Sequence, residues 1–164
     1  MRYTGISDIE HLDNEQAFIQ ASIQLLQQAS RYLRIRSAAL DPLLFDTPAF
    51  NEALSAFARK SRYSEVMILV DDADRLLKRG HRTVELMRRL SQKIYIRQYH
   101  DDVDDQRDSI IMADLRGLLV KPVDPQASGF CSLTDSVYTR QLVDSFDQDW
   151  ERSPLARQLR QLMI

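Results

Sequence analysis

The order of elements along this chain predicts an α/β fold, a mixed β-sheet flanked by helices on both faces. Three observations carry that expectation. The continuous apolar run Val66 to Val70 ends in Asp71-Asp72, as a central strand buried on both faces does. Helical and strand-like patterns alternate through the first hundred residues, and two short apolar runs then follow one another before a closing helix.

Residues 1–12 are expected to be a loose lead-in, and residues 13–164 a single domain. Asp13 followed by Gln16 resembles a capping box for a helix to about Ser30, with Phe18, Ala21, Leu25 and Ala29 on one face. Tyr32 to Ser37 alternates, Leu33 and Ile35 against Arg34 and Arg36, so the arginine side of this strand is expected to be wet or to face a ligand. Thr47-Pro48 is an N-cap with proline at the first helical position, and Phe50, Ala53, Leu54, Phe57 and Ala58 form the apolar stripe of the next helix. After Gly80 a third helix carries Val84, Met87 and Leu90 inward, and Lys93 to Tyr99 reads as a strand. The acidic stretch His100 to Asp105 breaks the periodicity as an exposed loop would. Ser109 to Ala113 and Leu118 to Val123 then form a hairpin about Asp114 to Gly117, whose glycine suits the turn. A helix from about Ser136 to Arg152 presents Val137, Leu142, Val143, Phe146 and Trp150, and a short tail helix follows Pro154.

With 164 residues, 44% of them apolar, the chain can bury a core without disulfides or metals. Its 22 basic and 24 acidic residues leave a formal charge of −2, so no net field draws it to nucleic acid or to an anionic membrane, and neither is expected as a partner. The single cysteine, Cys131, excludes an internal disulfide, and no Cys/His cluster has zinc spacing. The first thirty residues lack a basic start with an apolar core, and no run reaches the length of a membrane span. A soluble, uncleaved, cytoplasmic protein without cofactor or metal is expected.

Arg107 to Asp114 reads Arg-Asp-Ser-Ile-Ile-Met-Ala-Asp. This stretch stands where the phospholipase D-like superfamily, which residues 14–152 resemble, carries His-x-Lys-x-x-x-x-Asp. On that resemblance the nucleophilic histidine falls on Arg107, the phosphate-binding lysine on Ser109, and only Asp114 is kept. The Gly-Ser-x-Asn element that follows in the family falls on Lys121, Pro122 and Asp124. The family's histidine attacks phosphorus, whereas a guanidinium stays protonated and offers no lone pair. A finer resemblance, through Ala39 to Asp46, Gly80-His81, Arg89-Leu90 and Trp150 to Ser153, is to an uncharacterised bacterial family of such degenerate domains, sometimes found beside Gcn5-related acetyltransferases.

Other groups invite chemistry less. Asp71, Asp72 and Asp74 stand where α/β folds place metal- or phosphate-handling carboxylates, but no partner ligands accompany them and capping is the expected role. Asp101 to Asp105 lack the glycine and terminal glutamate of a calcium loop. His81 is expected to cap a helix or lie at the surface. Arg75, Lys78, Arg79, Arg82, Arg88 and Arg89 spread around a helix axis rather than along one stripe, although Arg88 and Arg89 are placed to rim a groove for an anionic partner. No activating base is tied to Cys131.

What the resemblance implies is an accessory, regulatory or protein-interaction domain that is not an enzyme, working with an acetyltransferase and able to pair as a homodimer. Two alternatives stand beside it. One is a sensor of a phosphate-bearing ligand held by Arg107, Ser109, Lys121 and Arg36, with Asp114 and Asp124 as remnants of the motif and available counter-charges. The other is a hydrolase with an active site of another kind.

Overall fold

Strands whose residues alternate between two faces need a layer on each side, and both layers are present. The structure is a computed structural model that describes residues 5–6, 8–78, 80–99 and 107–153. Its elements in chain order are β1 (Glu10–Leu12), α1 (Glu15–Gln28), β2 (Tyr32–Ser37), α2 (Pro42–Phe45), α3 (Pro48–Ala58), β3 (Glu65–Val70), α4 (Ala73–Lys78), α5 (Arg82–Arg89), β4 (Ile94–Gln98), β5 (Ser109–Ala113), β6 (Gly117–Lys121), β7 (Gly129–Ser132) and α6 (Val137–Glu151). The strands form one sheet in the order β1-β7-β6-β5-β2-β3-β4. Strands β2, β3 and β4 run parallel, while β5, β6, β7 and β1 continue from β2 as antiparallel neighbours. The boundary between the two regimes therefore lies between β2 and β5.

One face of the sheet presents Leu33, Ile35, Ile68, Ile96, Ile111 and Leu119 to the large core beneath α1 to α5. The other presents Leu69, Met112, Leu118, Val120 and Phe130 to Val143, Phe146 and Trp150 of α6. Both α1 and α3 start as local chemistry dictates. Asn14 accepts a hydrogen bond from the Ala17 amide, and Thr47, ahead of Pro48, accepts one from Phe50.

Several expectations are corrected. The end of the lead-in is a strand: Glu10 to Leu12 pair with β7, and only Leu12 is buried, so three residues gave no period to read. Asn14, not Asp13, caps α1. The short elements α2, α4 and β7 lacked a readable pattern. Strand β3 is flanked on both sides but stands one place from the sheet edge, and its Met67 is only partly buried. The arginine side of β2 is dry: α6 covers it, and Arg34 and Arg36 are both buried. Arg34 donates through Nε and Nη2 to Asp147 of α6 at 2.8 and 3.2 Å. In the β5–β6 hairpin the left-handed residue is Asp114 (φ 52°), not Gly117. Gly117 is needed because a Cβ there would stand 2.6 Å from Leu25 of α1. The acidic loop and the tail helix fall outside the described residues. No helix among those described is long and apolar enough to cross a membrane.

Candidate functional site

The antiparallel pairing of β5 with β2 and β6 brings the end of β2, the start of β5 and the end of β6 together at one end of the strands. This is also the carboxyl end of parallel β2 and β3, at the switch between the two pairing regimes, where open α/β sheets leave a crevice. A pocket of about 140 Å³ opens there. Its polar lining comes from Ser37, Asp41, Arg75, Arg107, Ser109 and Lys121, and its apolar lining includes Pro42, Pro122 and Val123.

Register explains the convergence. Ser109 and Lys121 are direct cross-strand partners. The Ser109 hydroxyl lies 2.9 Å from that of Ser37, which also accepts from the Leu40 amide at 3.0 Å. Whichever serine donates across the pair, one hydroxyl hydrogen is left to turn toward the pocket. Lys121 Nζ donates to Asp41 Oδ2 at 2.6 Å, stands 3.7 Å from Glu15 and lies 5.3 Å from the centre of the Phe18 ring.

Arg107 approaches from just ahead of β5 and donates through Nε to Asp71 Oδ2 at 2.7 Å. Its two terminal amino groups make no hydrogen bond to the described residues, and the side chain keeps 30% of its exposure. Asp71 is buried at the end of β3, and its other oxygen accepts from Arg36 Nη2 at 2.8 Å. Arg36 Nη1 donates to the carbonyls of Ser37 and Leu69, while its Nε has no partner. Burial lowers the Arg36 guanidinium from its ordinary value, and the hydrogen bond to Asp71 opposes that shift.

Arg107, Ser109 and Lys121 thus meet in one pocket. Arg36 does not line it: one residue before Ser37, it faces the α6 side and meets Arg107 only through Asp71, beneath the Tyr99 ring at 5.2 Å. Asp114 lies at the other end of β5, about 16 Å away at ~3.3 Å per residue. There its carboxylate accepts from the backbone amides of Ser30, Arg31 and Tyr32, each at 3.0 Å. Burial would raise this carboxyl, but the bonds from Tyr32, Ser30 and Arg31 outweigh it and hold Asp114 below its ordinary range. Asp124 caps a turn by accepting from the Gln126 amide and does not line the pocket. The counter-charges at the site are therefore Asp41 and Asp71. Asp41 had a sequence signal, since Asp-Pro marks a helix start, but nothing in that signal pointed to Lys121.

The remaining candidates have structural roles. His81 is buried and caps α5, its Nδ1 accepting from the Thr83 amide at 3.1 Å. Asp72 accepts from the Arg75 amide. Burial first, and then the charge of Glu10, push the Cys131 thiol up to about 12, which leaves it protonated and inert. Among the described residues no three His, Cys, Asp or Glu side chains are grouped to hold a metal ion.

Solved structures share this fold. NucT of Helicobacter pylori is similar at a TM-score of 0.62 and 9% identity, over 91% of this chain and all of that one. Phosphatidylserine synthase of Haemophilus influenzae Rd KW20 gives 0.60 and 12%, over 95% of this chain and 41% of that one. TrmBL2, an archaeal chromatin protein described with a novel mode of DNA binding, gives 0.61 and 11%, over 94% of this chain, which spans 56% of its length. No curated protein matches the chain. The fold is phospholipase D-like. These neighbours correct the expectation that the chain is not an enzyme: its fold is one that carries enzymes, phosphatidylserine synthase among them. Over residues 14–162 the sequence matches the domain of unknown function DUF7931, and the chain belongs to that family.

Proposed function

We propose that the pocket between β2, β5 and β6 binds a phosphate-bearing ligand, and that the domain acts as its sensor. The observation that carries this reading is the meeting of Arg107, Ser109 and Lys121 in one pocket. Each contributes what a phosphoryl group needs. Arg107, held by its Nε, keeps two terminal amino groups that make no hydrogen bond to the described residues, a planar donor pair suited to two oxygens. Lys121 adds a point charge, and the serine pair adds a neutral donor. Occupancy would be relayed to a protein partner, for which the resemblance through Ala39 to Asp46 suggests an acetyltransferase.

A thermal-shift screen of nucleotides, sugar phosphates and phospholipid head groups tests the site. Stabilisation of the wild type that disappears in Arg107→Ala/Lys121→Ala supports it. Equal shifts in both proteins, or none with any anion, remove it. Because the Lys121 side chain is only 10% exposed, the double variant is expected to melt below the wild type, and the ligand-dependent shift of each protein is read against its own unliganded midpoint.

A further inference from the structure

In a pocket whose other charged lining residues are Arg75, Arg107 and Lys121, Asp41 is the one acid. Its carboxylate does two separate jobs. Oδ1 accepts from the Leu43 amide at 3.0 Å and caps α2. Oδ2 accepts from Lys121 at 2.6 Å, a charge-assisted contact between elements 80 residues apart. The capping job needs only an oxygen, which asparagine supplies as well as aspartate. The second job places a negative oxygen on the ammonium group that the proposed ligand requires.

Glu15 also approaches Lys121, but at 3.7 Å, half exposed and outside the pocket lining. Asp41 stands just ahead of the short helix α2 and keeps 31% of its side-chain exposure, so the carboxylate has solvent to move into. The apolar lining of Pro42, Pro122 and Val123 limits how much water can take its place on Lys121.

Resting on the phosphate-binding reading, we infer that Asp41 is an internal occupant of the site: a carboxylate seated on Lys121 where a ligand oxygen belongs, which a phosphate must displace in order to bind. Affinity is then set by competition within the chain. An incoming phosphoryl group breaks the Lys121–Asp41 contact, takes the ammonium for one oxygen, and meets Arg107 and the serine hydroxyl with the others. Asp41 turns to water and keeps its cap on α2.

The test measures methyl phosphate binding by calorimetry at pH 8, where a phosphomonoester is a dianion. Asp41→Asn retains the cap and removes the competitor, so it should bind about tenfold tighter than the wild type, the worth of one charge-assisted hydrogen bond. The gain must pass through Lys121. In a Lys121→Ala background the Asp41→Asn change should therefore give less than about a twofold effect. If the wild type binds and Asp41→Asn binds equally or more weakly, the displacement is overturned while the site stands. A gain of the same size in the Lys121→Ala background overturns it too, since the effect would then be one of overall charge. Binding by neither protein removes the site reading and this inference together. Unchanged melting of Asp41→Asn confirms that a loss of affinity is not a loss of fold.

Discussion

Two aspartates show how position decides what one side chain does. Asp71 is 1% exposed and serves two arginines, and Arg36 beside it is buried with an Nε that has no partner. Removing the carboxylate charge leaves that guanidinium uncompensated, so Asp71→Asn should cost about 3–5 kcal/mol in urea unfolding and should also loosen Arg107. Asp114, at the opposite end of β5, works through hydrogen bonds to its ionised form. Its folded value lies below the ordinary 3.8, so its contribution is complete above that pH and is lost as pH falls through the lowered value. The stability gap between wild type and Asp114→Asn should therefore be flat near neutrality and close only in acid. A gap that grew toward low pH would contradict the hydrogen-bond account. Arg107 and Ser109 were legible because an eight-residue pattern names their slots, and Lys121 because the element that follows that pattern falls on it. The pairing of Asp41 and Asp71 with the site was not, because their partners lie 80 and 36 residues away and only the folded sheet brings them together.

At the scale of elements, what could be read was what repeats. The stripe of α3, the alternation of β2 and the apolar run of β3 are long enough to show their periods, and the structure keeps them close to where the sequence places them. Strand β7 has four residues, Gly-Phe-Cys-Ser, all buried, with no polar alternation to mark it. The sequence pattern assigned this stretch to no element. A Cβ at Gly129 would run into the Phe18 ring and stand 2.7 Å from the Val120 carbonyl, so α1 can lie on β7 only because that side chain is absent. Gly129→Ala should lower stability by about 1–3 kcal/mol, the usual range for overpacking. At Gly80, a Cβ would meet no atom within 4 Å, and the cost comes from φ of 68° alone. Gly80→Ala should therefore be the milder change, at about 1 kcal/mol. Urea midpoints in the reverse order would mean that β7 is not packed against α1 as described.

Across the whole molecule, alternation of helix and strand was enough to announce two helical layers about a sheet, but the strand order was not in the pattern. That β5 joins β2 antiparallel, and so turns the sheet from one regime to the other above the pocket, follows from pairing between residues more than seventy positions apart. The arrangement has a dynamic consequence. Strands β2, β5 and β6 each have a hydrogen-bonded neighbour on both sides, whereas β1 is a three-residue edge strand with Glu10 and His11 exposed. Amides of Ile35, Ile111 and Leu119 should then exchange with deuterium only through global unfolding, and those of β1 through local opening. The pocket draws side chains from the ends of β2, β5 and β6, from α4 and from the segment before α2, so it exists only when the whole sheet is assembled. A ligand held there at a hundred times its Kd should raise the protection of the inner strands by about 2.7 kcal/mol, and leave β1 almost unchanged. Uniform protection of β1 and the inner strands would show that the edge unfolds with the rest. Inner strands indifferent to a ligand that demonstrably binds would place it away from the sheet end, against the site described.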